Sequence, residues 1–140
     1  MIELQNITKS FGDRNVVENI SFKFQEGKTN LVIGESGSGK TTLLKIMVGL
    51  HQPNSGAVLY DGRNFTALTE KEKQGVRKEI GMLFQGGALF DSMTLEQNVK
   101  FPLDMFTEMT EAEKVDRVNF CLEKVKLVDK NALFPSELSG

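Results

Sequence analysis

The sequence is poor in residues that crosslink, anchor or span. It has one cysteine, Cys121, so no internal disulfide can form. No apolar run approaches the roughly 20 residues needed to cross a bilayer. The opening Met1-Ile2-Glu3-Leu4 has no basic stretch followed by an apolar core, which points away from a secretory signal. Excess positive charge is lacking too: 17 Lys and Arg stand against 19 Asp and Glu, a net charge of −2. Without a basic field, nucleic acid is not the implied partner. Repeats and low-complexity tracts are missing. These absences fit the cytoplasm, and they allow docking on a membrane protein. What remains, 39% hydrophobic and 26% charged residues over 140 positions, is ordinary for a soluble globular domain.

Local patterns divide the chain. Residues 2–10 read as a strand, followed by a turn at Gly12-Asp13-Arg14-Asn15. Ile20, Phe22 and Phe24 alternate with polar residues, the period of a half-buried strand, so the first 25 residues predict an antiparallel pair. Residues 29–33 are a short apolar run that suits a buried strand. Residues 40–50 predict a helix, apolar almost all round and therefore buried, ended by Gly49 and Pro53. Residues 57–60 and 80–84 predict further strands, the first closed by the turn pair Asp61-Gly62. Three helix starts carry a capping-box pair: Thr69 with Glu72, Thr94 with Gln97, and Thr110 with Glu113. Val115, Val118, Leu122 and Val125 recur at helical spacing. The chain thus reads as an α/β part over residues 1–88 and a helical part over residues 89–140.

One motif carries chemistry. Residues 34–41, Gly-Glu-Ser-Gly-Ser-Gly-Lys-Thr, satisfy G-x-x-x-x-G-K-[ST] in full. Gly34, Gly37 and Gly39 let the backbone turn its N–H groups toward phosphate oxygens. The helix that follows points its positive end at the same anion. Lys40 supplies a charge for the β- and γ-phosphates, and the Thr41 hydroxyl is a hard oxygen ligand for Mg²⁺. The predicted nucleotide contacts are Gly34, Glu35, Ser36, Gly37, Ser38, Gly39, Lys40, Thr41 and Thr42. Glu35 is assigned only its backbone. ATP or GTP with Mg²⁺ is the implied ligand.

Three further features surround the loop: Lys9-Ser10-Phe11-Gly12 upstream, Gln85 after the apolar residues 80–84, and Leu138-Ser139-Gly140. In this order the chain resembles the ATPase domain of ABC transporters along essentially all of its length. The resemblance implies a phosphate-loop fold of the ABC type. It has an N-terminal antiparallel β subdomain and the start of a helical subdomain, and is truncated within the signature LSGGQ. It implies that Phe11 stacks on adenine. Gln85 touches Mg²⁺ and the attacking water and faces the membrane subunit. Leu138, Ser139 and Gly140 begin the signature that reaches the nucleotide held by a second ATPase subunit. The implied catalytic residues present are Lys40 and Gln85, with Thr41 and Gln85 on Mg²⁺. Residues 83–94, Leu-Phe-Gln-Gly-Gly-Ala-Leu-Phe-Asp-Ser-Met-Thr, look like the ATPases of Mla-type phospholipid transport systems, although amino-acid importers share much of the stretch. Residues 86–93 are a coupling region in that family. The implied place is the inner face of the cell membrane, beside a permease.

The family pattern continues for about another hundred residues, with a strand ending in Asp-Glu and a later switch histidine. Nothing in the chain substitutes for these. Asp61 is followed by Gly62 and reads as a turn, and Asp129 is followed by Lys130. His51 reads as a loop residue, and Cys121 as a small packing residue. The whole protein is therefore expected to hydrolyse ATP as a dimer, and the 140-residue chain to be inactive. A small kinase would need a lid with clustered arginines, whereas only the scattered Arg63, Arg77 and Arg117 follow the loop. A complete non-enzymatic module fits poorly with a motif broken at the signature. A soluble ABC ATPase of translation or DNA repair would show tandem domains or large insertions.

Overall fold

The computed structural model describes residues 1–84 and 87–138. The chain forms two compact units, Met1–Met82 and Leu83–Gly140. The expected site residues Gln85, Ser139 and Gly140, and Gly86 of the expected coupling region, lie outside the described residues.

In the first unit, β1 (Ile2–Phe11) pairs antiparallel with β2 (Arg14–Lys23) on one edge and with β3 (Ser55–Tyr60) on the other. The two-residue strand β4 (Arg63–Asn64) adds to β3, giving the order β2-β1-β3-β4. The expected N-terminal pair is present. So is the turn at Asp61-Gly62, whose φ angles of 49° and 78° are the left-handed pair that a tight hairpin requires.

β1 does not alternate simply. Asn6 sits at φ 50°, and the register with β2 shifts between Leu4 and Ile7. This bulge lets Leu4 and Ile7, three apart, both enter the core at 1% and 0% exposure. Asn6 Nδ2 donates to Asn19 Oδ1 at 2.9 Å on the facing strand. The helix α1 (Lys40–Met47) contributes Leu43, Ile46 and Met47 to the same core, beside Val17, Val58 and Phe65.

Several expectations change. α1 stops at Met47, and Leu44 and Leu50 are exposed, so the helix has one buried face rather than being buried all round. Residues 29–33 and 80–84 do not pair as strands among the described residues. Leu31, Ile33 and Leu83 are 82%, 80% and 90% exposed. An apolar run supplies the tendency to be a strand, but the ladder needs a neighbouring backbone. Ile20 and Phe22 are exposed as well, because β2 buries only Val17; Phe24 packs on the core and meets Phe22 edge-on. After β4, α2 (Glu70–Arg77) starts at Thr69 with the expected capping box.

The second unit is a helix pair, α3 (Leu95–Phe106) and α4 (Glu111–Lys124), each opening on its predicted capping box. Leu95, Val118 and Leu122 form its core, with Val99, Leu103, Leu127, Leu133 and Leu138 packed around them. Val115 and Val125 remain exposed, so the apolar stripe is narrower than the spacing suggests. No helix among the described residues is long and apolar enough to cross a membrane.

Four charges tie α3 to α4. Lys100 Nζ lies 2.6 Å from Glu111 and 3.8 Å from Asp104; Lys114 Nζ lies 2.7 Å from Asp104 and 3.3 Å from Glu111. The hydrogen bond from Lys114 holds the Asp104 carboxyl below its ordinary value, and that from Lys100 does the same for Glu111. A lowered carboxylate contributes stability above its unfolded pKa and loses it as pH falls through the folded value. The acid limit of this contribution therefore lies below about pH 4. NMR titration of the carboxyl carbons is expected to show crossed dependence. Lys114→Met raises Asp104 more than Lys100→Met does, and Lys100→Met raises Glu111 more.

Candidate functional site

The loop of residues 34–41 links an extended apolar segment to α1, and its shape follows from close backbone contacts. Gly39 is the residue before α1, at φ 91°. A Cβ there would lie 2.3 Å from the Val16 carbonyl oxygen, so β2 closes directly on the loop. The Ser38 N–H donates to the Glu35 carbonyl at 3.2 Å, and the Leu43 N–H donates to Gly39 at 2.8 Å as the helix begins. Lys40 folds back over the loop and donates to the carbonyls of Gly34 at 2.8 Å and Glu35 at 2.7 Å. An ammonium so placed can exchange these carbonyls for anionic oxygens. Gly34, Glu35, Ser36, Gly37, Ser38 and Thr41 are exposed; Gly39, Lys40 and Thr42 are partly buried. The free N–H groups of the first helical turn add positive potential at the same place.

The rest of the predicted set is distributed as follows. Phe11 ends β1 with 47% of its surface exposed, which leaves ring area free to stack. Lys9 Nζ sits 5.1 Å from its centroid, and the His51 ring meets it edge-on at 5.5 Å. His51 is a loop residue, as expected, but its contact with Phe11 has no signal in the sequence. Leu138, in the other unit, packs on the helical core. Among the described residues no cluster of His, Cys, Asp or Glu could hold a metal. A divalent ion at the loop would depend on the Thr41 hydroxyl, on the phosphates themselves and on the expected ligand Gln85, which lies outside the described residues.

Two supporting residues are missed by sequence reasoning. Tyr60 Oη donates to the Met47 carbonyl at 2.9 Å, at the far end of α1. Burial pushes its phenol up to about 12, so it stays a donor throughout the neutral range. In the second unit, Asn98 spends its whole carboxamide on one loop. Its Oδ1 accepts from the Phe90 N–H at 2.8 Å, and its Nδ2 donates to the carbonyls of Phe90, Met93 and Thr94 at 3.0–3.1 Å. The Phe90 ring also meets Phe101 of α3 at 5.0 Å. An asparagine inside a helix gives no pattern that announces such contacts.

Comparison with known proteins gives these sites a setting. The sequence pattern of the ABC transporter family matches residues 17–140. The intermembrane phospholipid transport system ATP-binding protein MlaF of Haemophilus influenzae is 42% identical over the whole chain, which covers 53% of that protein. The methionine import ATP-binding protein MetN of Rhizobium johnstonii is 36% identical over the whole chain, covering 38% of it. Among solved structures, the ATP-binding cassette MJ0796, a dimer in a post-hydrolysis state with ADP and phosphate, superposes with a TM-score of 0.86. It is 31% identical over 99% of this chain and 63% of that one. The chain therefore spans about half or less of the curated relatives it matches.

The loop geometry makes a direct prediction. Gly39→Ala combines a left-handed φ with a clash against backbone, and is expected to lower stability by well over 1 kcal/mol, a cost of about 1–3 kcal/mol coming from the backbone strain alone. Gly37→Ala, at φ 79° with open space around it, carries only that strain. Thermal melts of the two variants should fall in that order.

Proposed function

The chain belongs to the ABC transporter family, and we propose that its loop at residues 34–42 binds ATP with Mg²⁺ as the nucleotide site of an ATPase subunit. The observation that carries this reading is the built loop itself, with Gly39 pressed on Val16 and Lys40 poised over the mouth. Lys40 holds the β- and γ-phosphates, Thr41 offers its hydroxyl to Mg²⁺, and Phe11 offers an exposed ring to adenine. Gln85 would orient the attacking water, and Leu138-Ser139-Gly140 would close the site of a second subunit. In the whole protein, ATP hydrolysis by such a pair on the inner face of the membrane would drive transport through a transmembrane permease. Residues 86–93 would be the coupling region. This 140-residue chain would bind nucleotide without turning it over, since it has no Asp-Glu pair after an apolar strand.

Phospholipid is the proposed transported substrate. Supporting it is the 42% identity to MlaF, against 36% for the methionine-import relative, both over the whole chain. An amino acid is the alternative.

Steady-state hydrolysis by the full-length protein tests the first reading. Lys40→Ala is expected to lower kcat by about a hundredfold or more, the scale of removing one preorganised charge from a phosphoryl transition state. Unchanged turnover would end the assignment. For the substrate, the full-length protein assembled with its permease in proteoliposomes should accelerate ATP use with phospholipid and ignore methionine; the reverse result selects the importer.

A further inference from the structure

The last carbonyls of an α-helix have no partner within it, and in α1 each of them is answered from elsewhere. Lys45 O accepts from the Leu50 N–H at 2.8 Å, and Ile46 O from the Gly49 N–H at 3.0 Å. Met47 O takes the Tyr60 hydroxyl. The two carbonyls just past the helix go to one side chain: Arg77 Nε donates to Val48 O at 3.1 Å, and Arg77 Nη2 donates to Gly49 O at 2.8 Å.

Arg77 is itself held. Its Nη1 lies 3.3 Å from Glu70 Oε2, while Lys73 approaches the other carboxylate oxygen at 3.1 Å. The guanidinium thus places a fixed positive charge at the negative end of α1. The fit is close: at Gly49, φ 73°, a Cβ would meet Phe65 ring carbons at 2.8 and 2.9 Å and Arg77 Nη2 at 3.0 Å.

We propose that Arg77 is a positioning residue of the nucleotide site, fixing the direction of α1 from its C-terminal end. α1 is a rod only about 12 Å long, with Gly39 against Val16 at one end and Arg77 at the other. Releasing the far end lets the rod tilt about the near one, and the tilt turns the first-turn N–H groups and Lys40 away from the phosphates. Lysine at this position keeps the charge but cannot form the two-pronged contact. The proposal rests on the reading that residues 34–42 bind nucleotide.

The test is the Kd of a fluorescent ATP analogue with Mg²⁺ on the full-length protein, at a temperature where circular dichroism shows every variant folded. Arg77→Met is expected to raise Kd about tenfold, within the range of coupling carried through a rigid element. Arg77→Lys should fall between it and wild type, and Tyr60→Phe should shift Kd in the same direction by less. Val118→Ala, which destabilises the other unit, should leave Kd unchanged and so separates positioning from general loss of stability. A Kd for Arg77→Met within twofold of wild type overturns the role of Arg77. Should Arg77→Met fail to fold, Arg77→Lys decides by the same criterion. Equal binding by wild type and Lys40→Ala, or no binding by wild type, overturns the nucleotide reading and the proposal with it.

Discussion

A helix of eight residues leaves as many backbone polar groups unsatisfied at its ends as it satisfies within, and the first unit is arranged around that imbalance in α1. At one end the unpaired N–H groups and the Lys40 ammonium stay available to an anion. At the other, Tyr60 and Arg77 occupy the carbonyls. The two ends are answered by different elements, β3 and α2 behind and the β2 backbone in front. Without this division the helix would have neither a fixed direction nor a free positive end. The apolar contacts of Leu43, Ile46 and Met47 seat it on the sheet but do little to set its azimuth, because dispersion is non-directional.

What could be read from the sequence was local. All three capping boxes and the Asp61-Gly62 turn appear where their residues predict, since each is decided within four positions. The turn of residues 34–41 is of the same kind, with left-handed glycines at Gly37 and Gly39 where it bends. What could not be read depends on distant backbone. Residues 29–33 and 80–84 have the composition of strands without a described neighbour to pair with. The bulge at Asn6 breaks the period of two by which alternation is judged, so Leu4 and Ile7 escape any simple pattern. In the sequence Arg77 is one of three scattered arginines after the loop. The carbonyls it caps are 28 and 29 residues away, and no spacing rule connects them.

The family is fixed by features spread along the chain, and the transported molecule is not among the things those features touch. In the proposed reading the features that mark the family serve ATP, a ligand that relatives named for phospholipid transport and for methionine import share in their names as ATP-binding proteins. In the proposed reading a transported molecule is sensed through the permease, so the first unit has no reason to vary with it. The loop after residue 86 is where such variation belongs in the proposed reading, and the second unit shows how that loop is shaped.

There Asn98 replaces a neighbouring strand. Its carboxamide presents one acceptor and two donor hydrogens, and it matches the Phe90 peptide as a second backbone would. Residues 90–94 therefore have no independent spring. One side chain pegs them to the first turns of α3, and a ring contact pegs them to Phe101. The piece that moves with the loop is therefore the N-terminal half of α3, because Pro102 removes a ladder hydrogen bond farther along the helix.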